Sequence, residues 1–408
     1  MKESIFNVRR EINGNEIIFN TLTRSIVKMQ SNTELKEDDI YILYKQGIYV
    51  DDNIDEFKTF QFRYNSQIED TNYLTITYLL THECNFECRY CYEGVEYKKN
   101  INRLTIQDFE KIFNRLIELY QPHFIDVNLF GGEPLLEIDY LIHSVKYIKS
   151  RGINSTVNIV SNGYLLDESR IKILKKIGVD SFQITIDGEK QTHDQYRVLK
   201  SGNGTYDMIY SNVLLLLEND IEVILNINYC EDNYKGIINF LKNFPLSYRC
   251  KIFVKFTRIK DTENNHFIKQ LQIKKQNILT ILYKTLKEEG YPDYEIEYLE
   301  GGPCLARRKY SIIIQPDGSI SKCIYGIGNN KFNYGNYFHS IDDLNTITKV
   351  SEISQTNFGD QCKSCVVLPM CQGGCERKKI EMGMETNSIL CEKEHYMEIV
   401  DAIIEYYK

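Results

Sequence analysis

"THECNFECRYCYEG", residues 81–94, sets Cys84, Cys88 and Cys91 in one short loop, with three residues and then two between them. The loop follows directly on "YLTITYLL", a strand-like apolar run. Beyond it the chain alternates between short apolar runs and stretches of helical period: "TIQDFEKIFNRLIELY", "FIDVNLF", "LLEIDYLIHSVKYIKS", "TVNIV", and onward to "KIFVKF". Six or so strand and helix units in series imply a parallel sheet, and their number suggests an open or complete barrel. Loops that follow the strands form the working face of such a barrel, so the cysteine triplet stands where active sites are built.

Three thiolates in one loop can hold three irons of a cubane 4Fe-4S cluster and leave the fourth iron without a protein ligand. Zinc is the alternative, with His82 as the fourth ligand. Twelve cysteines in a 408-residue chain need a reason, and the opening "MKESIFNVRREINGNEII" is too charged for a signal peptide. No apolar run approaches a membrane span. These features point to the cytoplasm, where ordered cysteines serve metals or catalysis rather than disulfides. The net charge of −8 argues against nucleic acid and against anionic membrane as partners. The basic stretch "CERKKI" reads as a solvated face.

Three regions are expected. Residues 1–70 form a small α+β unit, with a hairpin across "INGNE", a helix in "KEDDIYILYKQGIYV" ending at Gly47, and a short helix in "DEFKTFQFRYN". Residues 71–290 carry the barrel. Residues 291–408 are poor in long apolar elements and hold seven of the twelve cysteines, which suggests a metal-supported fold. Cys230 and Cys250 fit no ligand pattern and read as small buried hydrophobes.

Further motifs follow successive predicted strands: "FGGEP" at 130–134, "SNG" at 161–163, "TIDG" at 185–188 and "HDQYR" at 193–197. Singly they read as a turn, a helix cap or a surface ion pair. Together with the triplet and with Tyr90 before its last cysteine, they resemble the radical S-adenosylmethionine (SAM) enzymes. The resemblance implies an α/β fold with a partial (β/α)6 TIM-like barrel, a SAM-binding 4Fe-4S cluster on Cys84, Cys88 and Cys91, and a backbone contact to the amino group of SAM from Gly131, Gly132, Glu133 and Pro134. It makes Tyr90 a further cofactor contact, and Ser161 and Arg197 candidate ribose or carboxylate contacts. It implies a 5′-deoxyadenosyl radical as the agent that removes hydrogen, and an electron donor such as flavodoxin or ferredoxin. No catalytic acid or base is assigned.

"CKSCVVLPMCQGGC" contributes Cys362, Cys365, Cys371 and Cys375; Cys304, Cys323 and Cys391 flank it. A zinc module is the plain alternative. The arrangement resembles the C-terminal SPASM extension, which implies two auxiliary 4Fe-4S clusters, one on Cys362, Cys365, Cys371 and Cys391, the other on Cys304, Cys323 and Cys375 with one ligand position unassigned. Such enzymes commonly act on peptides or proteins. The resemblance favours a maturase that crosslinks a ribosomally made precursor peptide through a cysteine thioether, with residues 1–70 as a winged-helix-like leader-binding unit. The alternatives are an anaerobic sulfatase-maturating enzyme, disfavoured because Ile324 stands where that family has Asp, and a zinc-stabilised binding protein without catalysis.

Overall fold

A computed structural model describes residues 1–93, 103–260, 267, 277–292, 302–327, 329–337, 358–385 and 388–408. The order of elements begins with β1 (Lys2–Glu3), β2 (Asn7–Ile12), β3 (Asn15–Asn20), β4 (Ile26–Gln30), α1 (Glu37–Lys45), β5 (Tyr49–Val50) and α2 (Glu56–Ile68). The hairpin of β2 and β3 turns at Asn13 and Gly14, whose φ angles of 53° and 75° supply the twist that a two-residue hairpin needs. β4 adds to β3 as a third antiparallel strand, an element that the sequence pattern did not announce. Val27 and Met29 alternate with the exposed Lys28 and Gln30, but over too few residues to stand out as a strand.

β6 (Tyr73–Leu79) opens the main sheet. There follow α3 (Ile106–Tyr120), β7 (Phe124–Phe130), α4 (Ile138–Ser150), β8 (Asn154–Ser161), α5 (Glu168–Ile177), β9 (Ser181–Thr185), α6 (Lys190–Tyr196), α7 (Tyr206–Glu218), β10 (Glu222–Tyr229), α8 (Tyr234–Asn243) and β11 (Ile252–Arg258). Each strand pairs in parallel with its predecessor in sequence, as in Ile76 opposite Val127 and Val127 opposite Val157. This is the expected run of six parallel strands in α/β order. Val127, Leu129, Val157, Ile159, Phe182, Ile184, Leu225 and Ile227 are buried under the helices that return the chain. The helix ends carry local signals: Thr105 accepts the Asp108 amide at 3.1 Å while Asp108 accepts the Thr105 amide at 2.9 Å, a capping box at the start of α3.

The last part of the chain is tied to the same sheet. β12 (Ser311–Ile314) pairs in parallel with β6, and β13 (Ser319–Ser321) and β14 (Gly335–Asn336) continue it in antiparallel order. α9 (Ile278–Glu288) packs on α10 (Lys393–Tyr406), with Tyr283 edge-on to Tyr406. The sequence also reads as helical over about 272–288, and the start of that segment lies outside the described residues; the junction drawn at 290/291 adjoins such residues. Cys230 is buried as expected, but Cys250 is exposed, because it ends a short helical turn (Leu246–Arg249) at the surface. Among the described residues no helix is long and apolar enough to cross a membrane.

Candidate active site

The cysteine loop leaves the C-terminal end of β6 and is held by backbone on two sides. The amide of Gly132 donates to Thr81 O at 2.9 Å and that of Glu133 to Glu83 O at 2.8 Å. On the far side the amides of Glu87 and Arg89 donate to the carbonyls of Val198 and Tyr196, and Lys200 N donates to Asn85 O. The two glycines are required here for a physical reason. A Cβ at Gly131 would lie 2.3 Å from Thr81 O, and one at Gly132 would lie 2.3 Å from Glu83 O; Gly131 also has φ +139°. "GGEP" therefore lets the cysteine loop press onto the end of β7.

Glu133 is fully buried and spans two loops. Its carboxylate accepts the Ser161 hydroxyl at 2.8 Å, the Asn162 amide at 2.7 Å and the Leu135 amide at 3.0 Å. Burial pushes its pKa up, and these donors oppose the shift. Ser161 in turn accepts the Gly163 amide at 2.9 Å, so its hydroxyl both donates and accepts within the protein. Pro134 begins the single turn that leads to α4.

The hydroxyl of Tyr90 is a hub. It donates to the buried carboxylate of Asp187 and accepts from Arg197 Nη1 and Asn228 Nδ2, each at 3.0 Å. Asp187, from "TIDG", and Asn228, at the end of β10, were not singled out in the sequence; an acid at the end of a predicted barrel strand was the available signal. Burial works against the Arg197 charge, but Tyr90, Cys88 and Asp187 outweigh it. The guanidinium also lies over the Phe86 ring. His193 completes the frame. Its Nδ1 accepts the Asp187 amide at 3.2 Å and its Nε2 lies 3.0 Å from the Thr205 hydroxyl, which donates to Arg197 O.

Cys84 is buried and Cys88 and Cys91 are half-buried; none is in a disulfide. The charge of Cys88 reaches Tyr90 and Arg197, and that of Cys91 reaches Tyr92. His82 is buried, and its pKa is pushed down to about 4 by that burial. Among the described residues no three His, Cys, Asp or Glu side chains converge on a point that one metal ion could occupy. Beside the loop two buried donors, Asn85 Nδ2 and Arg197 Nε, have no hydrogen-bond partner, which fits an acceptor-bearing ligand such as SAM.

The C-terminal cysteines fall into two groups. The Cys362 thiol is pushed up to about 11 by burial and then by the charges of Cys365, Cys371 and Cys391. Cys323 is pushed up to about 12 by burial and then by Cys304 and Cys375. Thiols that raise one another in this way form a donor set that a cationic metal core would stabilise. Buried charges surround the second group. Arg307 donates to Tyr64 Oη and to the carbonyls of Gln372 and Gly374, and pairs with Glu376 at 2.7 Å; Lys379 meets the same Glu376 oxygen at 2.8 Å. "CERKKI" is thus corrected: Glu376, Arg377 and Lys379 are buried and only Lys378 is substantially exposed, because internal carboxylates of Glu376 and Glu381 neutralise the stretch. Sequence reading could not separate a buried ion network from a solvated run.

Comparison with known proteins agrees with this geometry. The family model described as "Radical SAM superfamily" matches residues 78–242. A cysteine-type anaerobic sulfatase-maturating enzyme of Clostridium novyi (strain NT) is 26% identical over 339 residues, 72% of this chain and 86% of that protein. Among solved structures, native anSMEcpe with bound AdoMet superposes with a TM-score of 0.63 at 17% identity, over 80% of this chain and 96% of the other. Streptococcus suis SuiB bound to precursor peptide SuiA gives 0.59 at 15% identity, over 96% and 99%. Residues 78–242 thus match a radical SAM domain, which together with the enzymes among the relatives supports an iron-sulfur enzyme that uses SAM and a 4Fe-4S cluster.

Proposed function

We propose that the enzyme matures a ribosomally made precursor peptide by forming an intramolecular crosslink, a thioether between a cysteine and a carbon of an acceptor residue. The observation that carries this reading most is the likeness in fold to SuiB, a protein crystallised with its precursor peptide, over 96% of this chain. That coverage takes in most of residues 1–70 as well as the barrel.

Cys84, Cys88 and Cys91 would hold the SAM-binding cluster, and Cys304, Cys323, Cys375 with Cys362, Cys365, Cys371, Cys391 would hold two auxiliary ones. When bound, these groups and SAM supply a 5′-deoxyadenosyl radical that removes hydrogen from substrate and a sink for the surplus electron. The protein's share is position. Gly131 to Pro134 would give backbone to the amino group of SAM, Ser161 and Arg197 would contact its ribose or carboxylate, and Tyr90, within the cluster loop, would be a further cofactor contact. Net, one C–H and one S–H bond give way to one C–S bond, and the peptide loses two hydrogens. The first electron comes from a flavodoxin- or ferredoxin-type donor.

Residues 1–70 suit capture of a leader segment by strand addition. β4 has one edge without a partner strand among the described residues, and beside it lies a cavity of about 350 Å³ lined by Arg9, Glu16, Ile18, Met29, Leu35 and Leu43. The second reading is formylglycine formation on a sulfatase, favoured by the identity to the Clostridium novyi enzyme and opposed by Ile324. Co-expression with a small cysteine-bearing precursor peptide, sought among the reading frames beside this gene, followed by mass spectrometry, separates them. Loss of two hydrogens together with a thiol that no longer alkylates is the expected result. Unmodified thiols, or a formylglycine on a sulfatase peptide, would contradict it.

A further inference from the structure

The two C-terminal cysteine groups lie in opposite electrostatic surroundings. Around Cys304, Cys323 and Cys375 the chain buries three cations. Arg307 is 1% exposed, and its amide donates to Cys304 O at 2.7 Å while its guanidinium clamps Gly374 O, just before Cys375. Lys322, 2% exposed, precedes Cys323, and its ammonium donates to the carbonyls of Arg308 and Ser311. Lys379 is fully buried one helical turn after Cys375, to whose carbonyl its amide donates at 3.1 Å. Two carboxylates sit among them: Glu376, already paired with Arg307 and Lys379, and Glu392, which accepts the Cys375 amide at 2.9 Å and pairs with Lys378. Arg377, also buried, is neutralised by Glu381 at 2.7 Å.

Cys362 and Cys365 pack instead against an apolar cluster of Phe6, Phe60, Tyr64, Phe358 and Leu368. The charge that reaches Cys371 is that of Glu392, which is itself paired with Lys378, and Lys363 pairs with the exposed Asp360. An iron-sulfur cluster becomes more negative when it is reduced. Buried positive charge beside it therefore favours the reduced form, and apolar or acidic surroundings disfavour it.

We propose that Arg307, Lys322 and Lys379, set against the carboxylates of Glu376 and Glu392, hold the reduction potential of the Cys304/Cys323/Cys375 site above that of the Cys362/Cys365/Cys371/Cys391 site. The first site is then the one that holds a surplus electron at equilibrium. The proposal rests on the reading that both groups carry iron-sulfur clusters.

The test is an EPR-monitored redox titration of the full chain, reconstituted anaerobically, with the SAM-binding cluster identified by its response to SAM. Two further signals are expected at separate potentials, the higher one lost in Cys323→Ala. Lys379→Met and Lys322→Met should each move the higher signal to more negative potential and leave the lower one in place. Lys379→Arg should restore it, and Glu376→Gln should move it the opposite way, which keeps the test open if one lysine variant fails to load iron. Shifts of the lower signal, or no shift of either at unchanged iron content, overturn the charge argument alone. About four irons per chain in place of about twelve would instead overturn the cluster reading beneath it.

Discussion

Gly131 and Gly132 put a sharp constraint on the site at the scale of single residues. The motif "GGEP" was legible in the sequence; the cause was not, because it depends on which carbonyls come to rest where a Cβ would stand, those of Thr81 and Glu83. Gly131→Ala is expected to cost on the order of 1–3 kcal/mol from backbone strain before any displacement of the loop. Its iron content after reconstitution should fall below that of the wild type, while the circular dichroism of the barrel is kept. A variant with full iron and unchanged stability would show that the loop does not press on β7. Glu133→Gln tests the neighbouring carboxylate, which accepts three hydrogen bonds. An amide cannot accept all three at both ends, and a loss of roughly 1–3 kcal/mol in stability, read from urea unfolding, is expected.

Among the elements, α6 and the β9 loop are joined through His193. Burial holds its imidazole neutral, well below the usual histidine pKa, because both ring nitrogens have partners in that form. The sign follows from linkage. A histidine whose pKa is lower in the folded state contributes stability above its unfolded value of about 6.5, and that stability is lost as the pH falls below it. Comparing His193→Gln with the wild type between about pH 5.5 and 7.5 should show a smaller acid loss in the variant; equal slopes would contradict this. Thr105→Ala, which breaks the capping box of α3, should cost about 1 kcal/mol, read from thermal unfolding. The alternation of strands and helices was legible because buried parallel strands and amphipathic returns have different periods. β4 was not, because its alternation of Val27 and Met29 with Lys28 and Gln30 is too short to announce a strand and its strand character comes from pairing with β3.

In the whole molecule, residues 1–70 and the cysteine-rich region meet, and nothing in the sequence forecast that contact. Phe60 lies 5.3 Å from Phe358 between ring centroids, Thr21 donates to Val366 O, and Arg24 Nη2 donates to Pro369 O at 3.3 Å. The N-terminal unit is therefore packed on the loop that holds Cys362, Cys365 and Cys371. Phe60→Ala removes a buried ring at this junction and is expected to cost about 3–5 kcal/mol. Faster hydrogen exchange in residues 366–371 is the measurement that would register it, and unchanged exchange there would mean that the contact does not hold the loop. Local patterns made the barrel readable, and long-range pairings such as this one set the rest. The central claim is that Cys84, Cys88 and Cys91 carry a cluster with one iron open to SAM. Its most direct test is the EPR spectrum of the reduced protein with and without SAM: a signal that shifts on addition of SAM and is missing when the three cysteines are replaced by alanine is predicted, and a signal indifferent to SAM would contradict the account.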